Sequence, residues 1–358
     1  MDGQGSGARI SFRNDYSEGA HPRLLQALAQ ASAEQHAGYG TDRLSARAAG
    51  LIRTAVAQPQ ADVHLLVGGT QTNLIAISAF LRPHQAVIAV EAGHIATHET
   101  GAIEATGHKV LTVPALHDKL TPALIAPVLE VHSNEHMVQP RLVYISDSTE
   151  SGTIYTHAEL DALSRFCRAN DLLLYLDGAR LGAALTADGN DLDLPTIAAL
   201  TDAFYIGGTK NGALLGEALV IVNPALQADL RYLIKQRGAL LAKGMVLGSQ
   251  FAALFEDGLF FELAAHANAM AQRLRAGLLA AGAHFTSDSP TNQQFIAVSA
   301  QHATQLAQRY DFERWEVRAD GSHVIRFVTS WATTPEAVDR LCADVAAILP
   351  DPVTQGHD

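Results

Sequence analysis

Cysteine is scarce in this chain: Cys167 and Cys342 are the only two among 358 residues, and they lie far apart. A disulfide framework or a thiolate metal cluster is not expected from them, and a reducing compartment is the simpler reading. Charge is thin at 17% of residues, and positive charge thinner still: 25 Lys and Arg stand against 37 Asp and Glu, a formal net of −12. A nucleic-acid binder rests on clustered cations facing phosphates, so this balance argues against one and leaves room only for a local basic pocket around a small anion. Long apolar runs are missing too. The longest, Val63–Leu81, contains His64, Gly68, Gly69, Thr70, Gln71, Thr72 and Asn73, a polar block that a membrane helix would not carry at its middle. Residues 1–10 show no basic segment followed by an apolar run, so no secretory signal is read there. The expectation is a soluble cytoplasmic protein with neither membrane nor nucleic acid as partner.

Three common signatures are also absent. No Gly-x-Gly-x-x-Gly follows a strand; Gly3, Gly5 and Gly7 have the wrong spacing. No Gly-x-x-x-x-Gly-Lys-Ser/Thr and no Gly-x-Ser-x-Gly occurs. This removes the usual phosphate-cradle and serine-hydrolase readings.

Apolar material is ample, at 48%. At roughly 150 residues per domain the length suggests about two domains. Short apolar runs at Val63–Val67, Ala86–Glu91, Lys109–Val113, Leu142–Ser146, Leu172–Asp177, Ala203–Ile206 and Ala218–Val222 read as strands. Several are apolar at every position, as expected for strands covered on both faces. Helical patterns at Thr72–Leu81, Ile95–Ala105, Pro122–Val131 and Ala158–Ala169 lie between them. That alternation predicts an α/β fold: a mainly parallel sheet with helices on both faces. Asn223–Leu279 reads as helix, with Gly238, Gly244, Gly248 and Gly258 as breaks. Strand patterns at Gln294–Ser299, Arg314–Arg318 and Val324–Thr329, with helices at Ala303–Arg309 and Pro335–Ala347, predict a small C-terminal α+β domain. The expected boundaries are a flexible tail over 1–10, a large domain over 11–240, and a helical connection with the small domain over 241–358.

Three segments carry chemistry. Gly68-Gly69-Thr70-Gln71-Thr72-Asn73 joins a strand to a helix, where glycines admit an anion close to the backbone and the helix N-terminus offers free N–H groups. Any strand-to-helix turn also favours Gly and Thr. Asp177, ahead of Gly178-Ala179-Arg180, ends an apolar strand, so its carboxylate points into the crevice where open α/β sheets bind ligands. A protonated pyridine nitrogen would satisfy such a charge; a turn aspartate is the plainer alternative. Lys210 follows Tyr205-Ile206-Gly207-Gly208-Thr209, and a lysine that forms a Schiff base must lose its proton near neutrality, which burial promotes. By itself it is equally a surface-loop lysine.

In this order and separation the three segments resemble the layout of fold type I pyridoxal-phosphate enzymes. More narrowly, the chain resembles the L-threonine aldolase / β-eliminating lyase family, from about Phe12 to the C-terminus. Phe12-Arg13-Asn14-Asp15 is similar to the family's opening segment, with Asn14 where Ser is usual. Tyr39-Gly40-Thr41-Asp42 resembles its Tyr-Gly-x-Asp turn, and Gly69-Thr70-Gln71-Thr72-Asn73 its Gly-Thr-x-Gly-Asn. Gly93-His94-Ile95 with Glu99-Thr100-Gly101-Ala102 resembles its His-Ile…Glu-Ala-Gly segment. Asp177-Gly178-Ala179-Arg180 matches its Asp-Gly-Ala-Arg motif, and Arg326-Phe327-Val328-Thr329 resembles its C-terminal Arg segment. Thr209-Lys210-Asn211 departs from the usual Ser-Lys-Gly, Asp147-Ser148-Thr149 from Glu-Asn-Thr, and Ser330-Trp331 from a frequent His. These departures imply a divergent subgroup.

The resemblance implies pyridoxal 5′-phosphate as cofactor and an aldolase that cleaves a β-hydroxy-α-amino acid, of the threonine, allo-threonine or phenylserine kind, to glycine and an aldehyde. The alternative on the same scaffold is β-elimination or transamination of another amino acid. The catalytic residues it implies are Lys210, Asp177 and His94. Gly69, Thr70, Gln71, His94, Asp177, Arg180 and Lys210 would hold the cofactor; Asn14, Arg180, Arg326, Tyr39 and His136 would contact the amino-acid substrate. His94 would stack on the ring and take the β-hydroxyl proton, its ordinary pKa suiting either duty. A competing reading makes His94, His98 and Glu99 metal ligands; no third ligand cluster stands out, and no metal is expected. His132 and His136 sit in a polar loop, and His136 is the closer match to a second family histidine. Tyr39–Asp42 and Gly238–Gly244, which carries Lys243, resemble segments that reach a neighbour's site, so a homodimer or homotetramer is implied.

Overall fold

The computed structural model describes residues 9–349; the expected tail lies outside them up to residue 8. Every apolar run named above forms a strand. Seven share one sheet, in the order Asp62–Leu66, Glu217–Ile221, Ala203–Gly207, Leu173–Asp177, Gln139–Ser146, Gln85–Val90, Lys109–Val113. The last five of that series run parallel to one another. Glu217–Ile221 runs antiparallel to both of its neighbours, Asp62–Leu66 and Ala203–Gly207. The alternation within each strand explains why the runs are continuously apolar. Ile88, Val143, Leu174, Phe204 and Val220 enter the core on one face, and Val87, Leu142, Leu173, Ala203 and Leu219 the core on the other.

The small unit is an antiparallel sheet in the order Glu313–Val317, His323–Val328, Gln293–Val298, His284–Phe285, packed on the helix Pro335–Ile348. The expected boundary at residue 11 is corrected here. Ile10–Ser11 pairs in parallel with Tyr310–Asp311, and Phe12 sits in the small unit's core against Tyr310 and Phe327. The helix Leu259–Ala280 spans both units, its first turns (Leu259, Phe260, Leu263) in the large core and its last (Leu274, Leu278) in the small one.

Two helix readings change. The stretch expected to be helical over 95–105 holds only His94–Thr97 and the short 3₁₀ turn Glu104–Thr106. Thr100 and Gly101 turn left-handed, at φ 52° and 70°, while Glu99 points inward to polar partners. The stretch over 223–279 is broken into Leu230–Gln236, Met245–Glu256 and Leu259–Ala280. Gly248 is not a break: it lies inside a helix, where a Cβ would stand 2.4 Å from the backbone nitrogen of Ser45 on the crossing helix Arg43–Ala55.

Candidate active site

A cavity of about 580 Å³ opens at the carboxyl ends of the parallel strands, roofed by the small unit's strands Glu313–Val317 and His323–Val328. Segments far apart along the chain line it. The helix Gly69–Phe80 starts three residues earlier than the sequence pattern indicates, so Gly69 and Thr70 occupy its first turn, where backbone N–H groups lack helical partners. Gly68, Gly69 and Thr70 line the cavity; Gln71 does not, and its side chain accepts from the Val67 backbone N–H at 3.3 Å. A Cβ on Gly69 would come within 3.0 Å of the Tyr205 hydroxyl, which is a packing reason for glycine there.

Asp177 ends its strand and is almost fully buried. Its Oδ2 accepts from the Tyr144 hydroxyl at 2.6 Å and from Asn73 Nδ2 at 2.9 Å. Its Oδ1 accepts from the Ala179 N–H at 3.0 Å and from the Tyr205 hydroxyl. Burial pushes its pKa up, but nearby His94 and the side-chain donors outweigh that and hold it below the usual carboxylate range. The Asp-Gly and Gly-Gly steps have a steric cause. A Cβ on Gly178 would lie 1.9 Å from the Tyr205 carbonyl oxygen, and one on Gly207 2.3 Å from that of Ala179.

Lys210 sits in the turn 208–216 between Ala203–Gly207 and Glu217–Ile221. The turn is tied by Gly208 and Thr209 N–H groups donating to the Gly216 carbonyl at 2.9 and 3.0 Å. Burial and the neighbouring Arg180 guanidinium lower the Lys210 pKa, as imine-forming chemistry requires. Glu217 stands beside it, its carboxylate accepting from the Gly208 N–H at 3.1 Å, and burial lifts its pKa to about 8.

His94 opens the short helix His94–Thr97, and its Nδ1 pairs with Glu99 Oε1 at 2.8 Å. Burial lowers its pKa, but the Glu99 bond and the charges of Glu150 and Asp177 win, and the net direction is up. Asn73 Nδ2 joins Glu99 and Asp177, at 2.8 and 2.9 Å, so the histidine and the aspartate share one buried network. His98 stands 5.5 Å from His94, ring to ring; among the described residues no group of three or more acidic, His or Cys side chains is placed to hold a metal ion.

Arg180 lines the cavity but is already paired. Its Nε and one terminal nitrogen donate to buried Asp15 at 2.7 and 3.0 Å, and Asn292 donates to the same carboxylate at 2.9 Å. Arg326 donates to Gln293 Oε1 at 3.2 Å and lies 4.7 Å from the Trp315 ring centre, while its buried Nε has no partner. An orphaned guanidinium N–H in a polar cavity fits a ligand carboxylate.

Three of the residues implied for the substrate lie elsewhere in this chain's fold. Asn14 does not line the cavity; its Oδ1 accepts from Tyr16 N–H at 3.0 Å and from the Ser17 hydroxyl at 2.9 Å, and Tyr16 takes the place on the wall. Tyr39 is 44% exposed, beside a different hollow with Arg231 and Lys235. His136 is exposed in the loop after the helix Pro122–Val131. Conversely, Glu150, Glu217 and Trp315 line the cavity and Asp15 and Asn73 bond to residues that do, without having been named as site residues; Glu99, weighed only as a metal ligand, instead bonds His94. The rule that ligands bind beyond strand carboxyl ends points at Glu150, four residues past Ser146; no local pattern points at Glu217.

A family model described as β-eliminating lyase matches residues 12–301. The chain belongs to the β-eliminating lyase family. Two low specificity L-threonine aldolases are similar to this lyase along nearly their whole length. One, from Pseudomonas sp. (strain NCIMB 10558), is 34% identical, covering 94% of this chain and 97% of the relative. The other, from Pseudomonas aeruginosa, is 31% identical with the same coverage. Among solved structures, a Leishmania major threonine aldolase superposes with TM-score 0.94 at 51% identity, over 95% of this chain and 100% of that one. A Thermus thermophilus aspartate aminotransferase, at TM-score 0.73 and 16% identity, covering 95% of this chain and 92% of that one, shares the fold alone. The lyase therefore has the fold type I architecture, and among its described residues no helix is long and apolar enough to cross a membrane.

Proposed function

We propose that this lyase is a pyridoxal-5′-phosphate-dependent aldolase that cleaves the Cα–Cβ bond of a β-hydroxy-α-amino acid, threonine among them, to give glycine and an aldehyde. One observation carries the reading: Lys210, with its lowered pKa, shares a cavity with the strand-end carboxylate Asp177 and the unsatisfied guanidinium of Arg326. The aldolase relatives matching nearly the whole chain support the substrate class.

The cofactor fits the residues present. Lys210 Nζ would hold its carbonyl carbon, the N–H groups of Gly68, Gly69 and Thr70 its phosphate, and Asp177 a protonated ring nitrogen; the His94 ring is available on the wall beside it. When bound, the cofactor supplies an electron sink at the substrate's Cα. Asp177, fixed by Tyr144, Tyr205 and Asn73, keeps its negative charge in place without reorganising. Arg326 binds the substrate carboxylate and sets the orientation of the amino acid. Arg180, engaged by Asp15, supplies the positive field that keeps Lys210 ready to lose its proton.

We also assign a homodimer or homotetramer with active sites at subunit interfaces, in the cytoplasm. Exposed Tyr39, with Tyr232 at 77% exposure beside the same hollow, supports a face covered by a second copy. An active monomer in light scattering refutes that assignment. The function is tested with a panel of β-hydroxy-α-amino acids assayed for products. Glycine and aldehyde are expected; a keto acid with ammonia, and no glycine, overturns the reading in favour of elimination.

A further inference from the structure

The site holds one carboxylate that no protein group pairs with directly. Glu150 is only 8% exposed and lines the cavity. Among the described residues, no hydrogen bond or ion pair engages its side chain. Buried charges are ordinarily paired, so an unpaired one aimed into a cavity marks a place where a ligand group belongs. Its charge is felt across the site: it raises the proton affinity of His94, His98, Lys210, Arg180 and Arg326 alike.

The loop that carries Glu150 is clamped by the small unit. Ser289 and Thr291 hydroxyls both donate to the Gly152 carbonyl at 3.0 Å, and Ser287 donates to that of Ser151 at 2.7 Å. Gly152 is left-handed at φ 80°, and a Cβ there would strike the Ser289 hydroxyl at 2.3 Å. Gln293 ties the loop to the carboxylate end of the site, donating to the Thr149 carbonyl at 3.4 Å and accepting from Arg326 at 3.2 Å. One side chain thus sets the spacing between the group that would bind the substrate's carboxylate and a free carboxylate on the same cavity wall.

His94 is fixed through its Nδ1 by Glu99, which suits a ring that positions. We propose that Glu150 is the catalytic residue that receives the β-hydroxyl proton of the substrate, with His94 as a positioning ring. The inference rests on the aldolase reading above. The Glu150 carboxylate accepts the hydroxyl proton and becomes a carboxylic acid. The O–H electron pair forms the aldehyde C=O, the Cα–Cβ bond breaks, and its electron pair stays with Cα. Uptake of one proton at Cα completes glycine, so the overall reaction needs no further reactant.

The test compares two reactions of the full-chain holoenzyme: cleavage of a β-hydroxy-α-amino acid, and exchange of the glycine Cα proton with solvent, which involves no hydroxyl. Glu150→Gln should lower cleavage by roughly 10²–10⁴-fold, the usual worth of a general base, and exchange far less. Glu150→Asp should recover part of the cleavage rate. His94→Phe should lower both reactions to a similar extent. Equal losses of the two reactions in Glu150→Gln, or a separation seen only in His94→Phe, overturn the proposal. A wild-type enzyme that forms no glycine from any β-hydroxy substrate sinks the aldolase reading instead. A second readout is independent of turnover. Histidine NMR titration should show lower midpoints for His94 and His98 in Glu150→Gln than in wild type, and unmoved midpoints would take the carboxylate out of the cavity and refute its role.

Discussion

The two ends of the cavity are built on opposite plans. At the Asp177 end the carboxylate is fully answered by the protein: two tyrosine hydroxyls, an asparagine amide and a backbone N–H converge on it, and nearby Asp15 answers Arg180. At the Arg326 end charges are left open: a buried guanidinium nitrogen without a partner and a carboxylate without one. The first arrangement would hold a resident group in one electrostatic state through every turnover, since fixed dipoles cost no reorganisation when charge develops. The second suits a transient ligand whose carboxylate and hydroxyl would complete the pairing, so that those groups would gain their partners only when substrate is present.

Four measurements would break or sharpen that contrast. The largest effect belongs to Lys210, which serves both ends. Lys210→Ala should reduce turnover by at least about 10³-fold, roughly 4 kcal/mol of barrier. Borohydride treatment of the wild-type holoenzyme should fix the cofactor covalently on Lys210; a label mapped to Lys235 or Lys243 would be fatal to the assignment.

Next comes Asp177→Asn, which keeps the shape of the answered end and removes its charge. Cofactor should remain bound while kcat falls by about 10²–10³-fold, the scale of losing one preorganised electrostatic contact. Near-normal kcat in the absorbance-verified holoenzyme would mean that another group partners the ring nitrogen.

At the open end, Arg326→Ala should act mainly through KM. A charge-assisted contact is worth about 1.5–3 kcal/mol, so KM for the amino acid should rise on the order of ten- to a hundredfold. A change confined to kcat would place the substrate carboxylate elsewhere.

The fourth measurement reads stability rather than turnover and concerns Glu217, beside Lys210. Its pKa of about 8 in the folded protein exceeds the ordinary 4.5, so the folded state keeps a proton that the unfolded chain releases. Its contribution to stability is complete below pH 4.5 and is lost as pH rises toward 8. Glu217→Gln should therefore gain stability relative to wild type across that window, by at most about 1.4 kcal/mol per pH unit. Denaturant midpoints of both proteins at pH 5 and pH 8 measure this, and parallel pH slopes would contradict it.

How far the sequence reaches differs between these ends as well. Asp177 and Lys210 each follow an apolar run that reads as a doubly covered strand; each alone had a plainer alternative, their order along the chain and the family resemblance singled them out, and the structure places both on the cavity wall. Arg326 came from the family resemblance, and the structure places it on the cavity wall. Asn14, Tyr39 and His136 came from the same source, and in this chain they lie away from the cavity. The long helix read over 95–105 failed because its periodicity concealed Glu99, which turns inward to meet His94 and Asn73.

The sequence by itself determined the sheet, because continuous apolar strands alternating with amphipathic helices have few other ways to bury themselves. It also determined the chemical types held at strand ends. Only the tertiary structure decided pairing. Asp15 meets Arg180 across 165 residues, Asn73 meets Asp177 across 104, and Gln293 meets Arg326 across 33 and the Thr149 carbonyl across 144. Whether a buried charge is answered or left open depends on such distances, and side chains so far apart along the chain leave no periodicity from which to read them. The same carboxylate chemistry thus became a fixed electrostatic partner at Asp177 and an unpaired group at Glu150, according to which donors the fold brought within about 3 Å.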